Sequence, residues 1–260
     1  MNPFVLIGPA GMVTVGILSM VYWHRRSGAH GKFFFLGACV WPLAVIPKYL
    51  LDLTLTTRLS WWLYGSFGLN WTLALLGVYL GVRTGLLECA AAYLALERSG
   101  LRYSSVDEVI ATAVGFGGTE ALALGLPSLL QMATYMIDPR QLELLDWRHY
   151  VEMVAQLNAP TWIVAAPIIE RAFVLLAHVL SFLLIYTSVE RGRPLLLVLA
   201  FIYKGLLDLP TAYFQWLLAT GSLVTVYLAD VWVVLLGFFG LLWSVRLRRQ
   251  LSALEGGPTG

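Results

Sequence analysis

Long apolar windows alternate along the chain with short clusters of charged and turn-forming residues. The windows predict helices near residues 3–23, 33–53, 69–96, 109–126, 161–189, 195–218 and 222–243. Roughly 20 mostly apolar residues cover about 30 Å of hydrocarbon at 1.5 Å per residue, so each window can cross a bilayer. The pattern therefore predicts an all-α, polytopic transmembrane helix bundle of about seven spans, with residues 1–250 as one membrane domain and 251–260 as a short polar tail. The longest connection, 127–160, departs from it. After Asp138-Pro139, one side carries Leu142, Leu145, Val151 and Val154, while Glu143, Asp146, Arg148 and Glu152 fall elsewhere. This predicts an amphipathic surface segment at about 138–157, lying on the headgroups or meeting a partner.

Charge gives the direction of threading. The connections after helices one, three and five, with the carboxyl tail, hold ten basic residues: Arg25, Arg26, Lys32, Arg98, Arg102, Arg191, Arg193, Arg246, Arg248 and Arg249. The opposite connections hold Arg58, Arg140 and Arg148. The positive-inside bias places the first set in the cytoplasm, the amino terminus outside and the carboxyl terminus inside. Trp61, Trp62, Trp71, Trp147 and Trp162 then gather on the outer side, as interfacial aromatics do. The first basic cluster follows the first apolar run instead of leading it, which reads as a retained helix.

Composition agrees: 59% of the chain is apolar and 12% charged, too little polar surface to wet a soluble fold of this size. Net charge is +2 with no basic stripe, so nucleic acid is not an expected partner; membrane lipid, a membrane-protein substrate or partner subunits are. Cys39 and Cys89 both fall in apolar runs, where a thiol behaves as a small hydrophobe, and no disulfide is expected.

Against this background the charges inside the spans stand out: Lys48, Asp52, Arg83, Glu88, Glu120, Glu170, Arg171, His178, Lys204, Asp208 and Asp230. Facing lipid unpaired, each would cost about 2.5–3.5 kcal/mol or more, so they turn inward and satisfy one another, as a functional site or as ion-pair glue. Lys48 with Asp52 and Lys204 with Asp208 are four apart, so each can pair within its own helix. The segments Ile46-Pro-Lys-Tyr-Leu-Leu-Asp-Leu53 and Ile202-Tyr-Lys-Gly-Leu-Leu-Asp-Leu209 look alike, over a length at which chance in leucine-rich sequence suffices. Arg171 and His178 lie two turns apart on one face, with Glu170 about 100° away. Glu120 follows Gly115-Phe-Gly-Gly-Thr, where glycines allow close helix approach or a local break. From an inner helix end at 109, Glu120 lies about 16 Å deep, and His178 and Asp208 reach similar depths from 189 and 195.

In order, Glu88, Gly-Gly-Thr-Glu120-Ala, Glu170-Arg171 with His178, and Lys204-x-x-x-Asp208 resemble the YhfC family, itself similar to the CAAX-endopeptidase and bacteriocin-processing type of intramembrane protease. The similarity covers roughly residues 33–215 and rests on order and spacing, since no single motif is specific. It implies a membrane-embedded carboxylate activating water for peptide hydrolysis, with histidines and polar groups stabilising the oxyanion or binding metal. Four positions depart from the family pattern. Cys89 stands for the second of two glutamates, Ala92 for an arginine one turn on, Phe116 for a histidine before the glycine pair, and Lys204 for the histidine of His-x-x-x-Asp.

The resulting expectation is a protease homologue of the bacterial plasma membrane, catalytic or degenerate. Glu88 or Glu120 would be the base, His178 the oxyanion partner or proton shuttle, and Asp208 would pair with Lys204. Glu170 and Arg171 would form an outer wall. With two histidines replaced, no metal and no cofactor is expected. Two rivals also place charge in a bundle: a non-catalytic subunit or binding module, and a small transporter, although two similar halves with broken helices are not evident.

Overall fold

The computed structural model describes residues 1–219, 221 and 224–255; the end of the expected polar tail, 256–260, lies outside the described residues. Helices dominate: α1 (Ile7–Ser27), α2 (Gly31–Leu51), α3 (Thr57–Arg98), α4 (Val106–Ile137), α5 (Trp147–Leu157), α6 (Ala166–Arg191), α7 (Pro194–Asp208), α8 (Thr211–Ala219) and α9 (Thr225–Glu255). Six stretches are long and apolar enough to cross a membrane: Pro3–Ser27, Gly31–Arg98, Val106–Ile137, Thr161–Arg191, Pro194–Ala219 and Thr225–Ala253. The protein is an all-α polytopic bundle.

The stretch from Gly31 to Arg98 counts once by length yet doubles back on itself. A π-helical segment, Asp52–Thr56, joins α2 to α3, and inside α3 Gly68 leaves the helical region (φ 73°, ψ 178°). A left-handed φ of this kind is open to glycine at little strain. Contacts on either side identify an antiparallel hairpin about this residue: Lys48 meets Glu88, Asp52 meets Arg83, and the Thr56 and Tyr79 hydroxyls lie 3.3 Å apart.

α4 and α6 form the buried centre, with α1 and α2 packed on α4, and α7 and α9 on α6. Several boundaries differ from those expected. α4 starts at Val106 rather than 109 because Ser105 caps it reciprocally with Glu108, satisfying otherwise orphan amides. It also runs through Pro127 to Ile137, since one lost hydrogen bond in a long, packed span does not end it. α9 continues to Glu255 instead of stopping near 243.

The span expected over 195–218 is broken between Asp208 and Thr211. Pro210 has no N–H to offer the carbonyl four residues back, which is Leu206 O. That oxygen accepts instead from Trp232 Nε1 at 2.9 Å, so the break is stitched to α9.

The segment at 138–157 is two elements rather than one helix: Pro139–Leu144 form a 3-10 turn, and α5 alone is α-helical. Its buried face is Met153 and Leu157, packed with Leu142, Val5 and Tyr135, whereas Val151 is exposed. The expected face spread over two elements with different periods, so a single 3.6-residue stripe could not describe it.

Candidate functional site

Five helices, α2, α3, α4, α6 and α7, bring the charges together. From α4's start at Val106, Glu120 is about 21 Å along; from the facing ends of α6 and α7, His178 and Lys204 are about 20 and 15 Å along, and Asp208 about 21 Å. The agreement in depth leads to contact. His178 Nε2 lies 3.0 Å from Glu120 Oε2, and His178 Nδ1 lies 3.1 Å from Lys204 Nζ. Lys204 also forms an ion pair with Glu88 Oε2, approached off the line of a hydrogen bond, and Lys48 bonds the other oxygen of the same carboxylate. Glu120 is shared between His178 and Arg171, and Arg171 in turn holds Glu170.

The glycines before Glu120 serve close approach, not a break: α4 is continuous there. Gly115 backs onto Phe34, and a Cβ at Gly117 would come within 3.0 Å of His178 Cδ2. The imidazole thus fits against α4 because a side chain is missing. Phe116 covers it from another side, ring centroids 4.8 Å apart.

The partners of His178 fix its chemistry. A carboxylate only accepts and an ammonium only donates, so Nε2 carries the proton toward Glu120 and the Nδ1 lone pair accepts from Lys204. The ring is neutral, and both of its nitrogens are engaged. His178 is 1% and Lys204 3% exposed, so water does not compete for these contacts.

Two expected pairings are corrected. Lys204 pairs with Glu88 rather than with Asp208, whose carboxylate accepts from the Thr84 hydroxyl of α3. Lys48 likewise reaches Glu88 instead of Asp52, which is held by Arg83. Position i,i+4 on a helix permits an ion pair, but a carboxylate on the neighbouring helix offered a shorter path and removed a second buried charge from isolation. Lys48, Thr84 and Asp230 are therefore additions to the site. Lys48 and Asp230 stood among the charges in the spans, and the likeness of the two octapeptides was the signal for Lys48; Thr84 carries no charge and gave none.

A cavity of about 440 Å³ opens beside the cluster, lined by Glu88, Lys204, Asp208 and Glu170 and, across it, by Phe214 and Asp230. Glu120, Lys204 and Glu88 thus line one edge of the cavity, His178 sits behind them in contact with Glu120 and Lys204, and Asp208 faces the cavity one turn beyond Lys204.

Fold and site together define an integral membrane bundle with a buried polar centre between its helices. A family model described as "YhfC intramembrane metalloprotease" matches residues 11–230, and the chain belongs to that family. No curated protein and no solved structure matches it significantly.

The family's description implies a metal ion, and the residues present do not fit one. Glu88 already carries two ammonium groups, His178 has no free lone pair, and Glu120 is bound by Arg171. A dication among these donors would lie against Lys204 Nζ, like charge beside like. Among the described residues no three of His, Cys, Asp and Glu are grouped to hold a metal.

Proposed function

We propose that this chain is a non-hydrolytic member of the YhfC family, resident in the bacterial plasma membrane, whose polar cavity binds a membrane-embedded peptide segment without cleaving it. The observation that carries this reading is Lys204 Nζ lying 3.1 Å from His178 Nδ1 while paired with Glu88. An ammonium stands where the family pattern has a histidine, and it occupies both the lone pair a base or ligand would need and the carboxylate beside it. The cavity of about 440 Å³ beside the cluster is room for a bound side chain, which favours binding.

The test is elemental. Purified protein is expected to hold zinc only at background, whereas the double variant Phe116→His, Lys204→His, which exposes the imidazole of His178 and adds two more, is expected to take up zinc stoichiometrically. One zinc per wild-type chain would overturn the reading. A glutamate-based hydrolase is the second reading, favoured by the 3.0 Å contact between His178 and Glu120 beside the cavity. Cleavage of a membrane-segment peptide by wild type, abolished in Glu120→Gln, would establish it in place of the first.

A further inference from the structure

The cavity wall carries five carboxylates, Glu88, Glu120, Glu170, Asp208 and Asp230, against three cations, Lys48, Arg171 and Lys204. All three cations are committed to Glu88, Glu120 and Glu170. Asp208 and Asp230 have no ion-pair partner among the described residues. They differ in one respect: Asp208 accepts from Thr84, whereas Asp230 is 5% exposed and its Oδ2 is buried with no hydrogen-bond partner among the described residues. The protein's own cations leave these two carboxyl groups without a counter-charge in a space walled by apolar helices, where ionisation is costly unless an incoming group supplies the opposite charge.

Position adds direction. Asp230 lies about 8 Å along α9 from Thr225, so it stands between that end of the bundle and the ion-pair cluster deeper in. A long flexible basic side chain could reach past it toward Asp208, and the pocket's remaining wall, Phe214 and Leu218 among it, is apolar enough for the aliphatic stem.

We infer that the cavity recognises a basic residue, lysine or arginine, in the bound membrane segment, with Asp230 as its carboxylate partner and Asp208 as a second acceptor. This rests on the reading of the cavity as a peptide-binding site. The experiment uses the full chain in phosphatidylcholine nanodiscs and two labelled Leu/Ala peptides of about 20 residues, with a central Lys in one and Gln in the other. Fluorescence anisotropy is expected to give about tenfold tighter binding of the Lys peptide to wild type. In Asp230→Asn the ratio of the two affinities is expected to fall to less than about twofold. Asp208→Asn serves the same purpose where Asp230→Asn does not fold. Equal affinity of wild type for the two peptides, or a preference untouched in both variants, would overturn the inference. Mass spectrometry of the recovered peptides separates this from the broader reading, because a cleaved peptide refutes the non-hydrolytic role whichever way the charge comparison falls.

Discussion

Glu88 has two cations, and that makes the effect of losing them non-additive. Lys204→Met removes the ion pair to Oε2 and the donor to His178 Nδ1, but Lys48 still balances the carboxylate. The loss is then of the order of one or two hydrogen bonds, about 1–2 kcal/mol. Lys48→Met is similar or smaller, since its side chain is 15% exposed against 4% for Lys204. With both lysines gone, Glu88 is a buried anion with no cation within reach, the situation that costs roughly 3–5 kcal/mol in all. A double-mutant cycle should therefore show a coupling of about 1–3 kcal/mol. Adding Glu88→Gln to the double variant should recover most of it, because the stranded charge goes too. The assay is reversible unfolding in mixed micelles followed by tryptophan fluorescence. Strict additivity would refute the shared-carboxylate arrangement. So would a Lys204→Met variant as unstable as the double one, which would mean that Lys204 serves a carboxylate Lys48 does not reach, with Asp208 the first suspect.

Three other outcomes follow from the geometry. A reporter that works only in the cytoplasm is expected to be active when fused after Gly260, and activity of a periplasm-only reporter there would reverse the assigned threading. Trp232→Phe leaves Leu206 O without a donor at the helix break and should lower stability by about 1–2 kcal/mol, whereas an unchanged melting temperature would show that the indole bond does not hold it. At the start of α5, hydrogen bonding to Asp146 raises His149 above its ordinary 6.5, and the same contact lowers Asp146 below 3.8. The stabilisation from His149 is present below pH 6.5 and lost as pH rises above it; that from Asp146 is present above 3.8 and lost on acidification. The protection of α5 amides, taken relative to the intrinsic exchange rate at each pH, should be greatest between those limits, and a protection profile flat from pH 4 to 8 would contradict the pairing.

The spans were legible because lipid demands long apolar windows, and the inward turn of Glu120, His178 and Asp208 at similar depth was readable because lipid forbids them to face outward, although His178 touches Glu120 and Lys204 while Asp208 contacts Thr84. What stayed hidden was choice of partner. Lys48 and Lys204 were each seen to have an aspartate one turn on, and the rule for a single helix was applied to residues that look sideways. The likeness of the two octapeptides carried more than its length suggested: α2 and α7 flank α3 in matching register, both lysines meeting Glu88, with Asp52 on Arg83 and Asp208 on the adjacent Thr84. The break at Pro210 was missed because its neighbours are apolar and a hydropathy window averages across it. The reversal near Gly68 was legible, since one window ends at 53 and the next begins at 69; hidden was the helix that fills the connection from Thr57 up to that glycine.

The division of one span into α7 and α8 separates two tasks along a single strand of chain. Lys204 and Asp208 belong to the half that packs on α3 and α6, while Phe214, Gln215 and Leu218 line the cavity from the other half. The two halves meet at Leu209-Pro210, tied to α9 through the indole of Trp232. A rotation about that joint would reshape the mouth of the cavity and leave the ion pairs of the floor in place. Sequence change in Thr211–Ala219 can thus reshape that mouth without disturbing the ion pairs held by α3, α6 and α7.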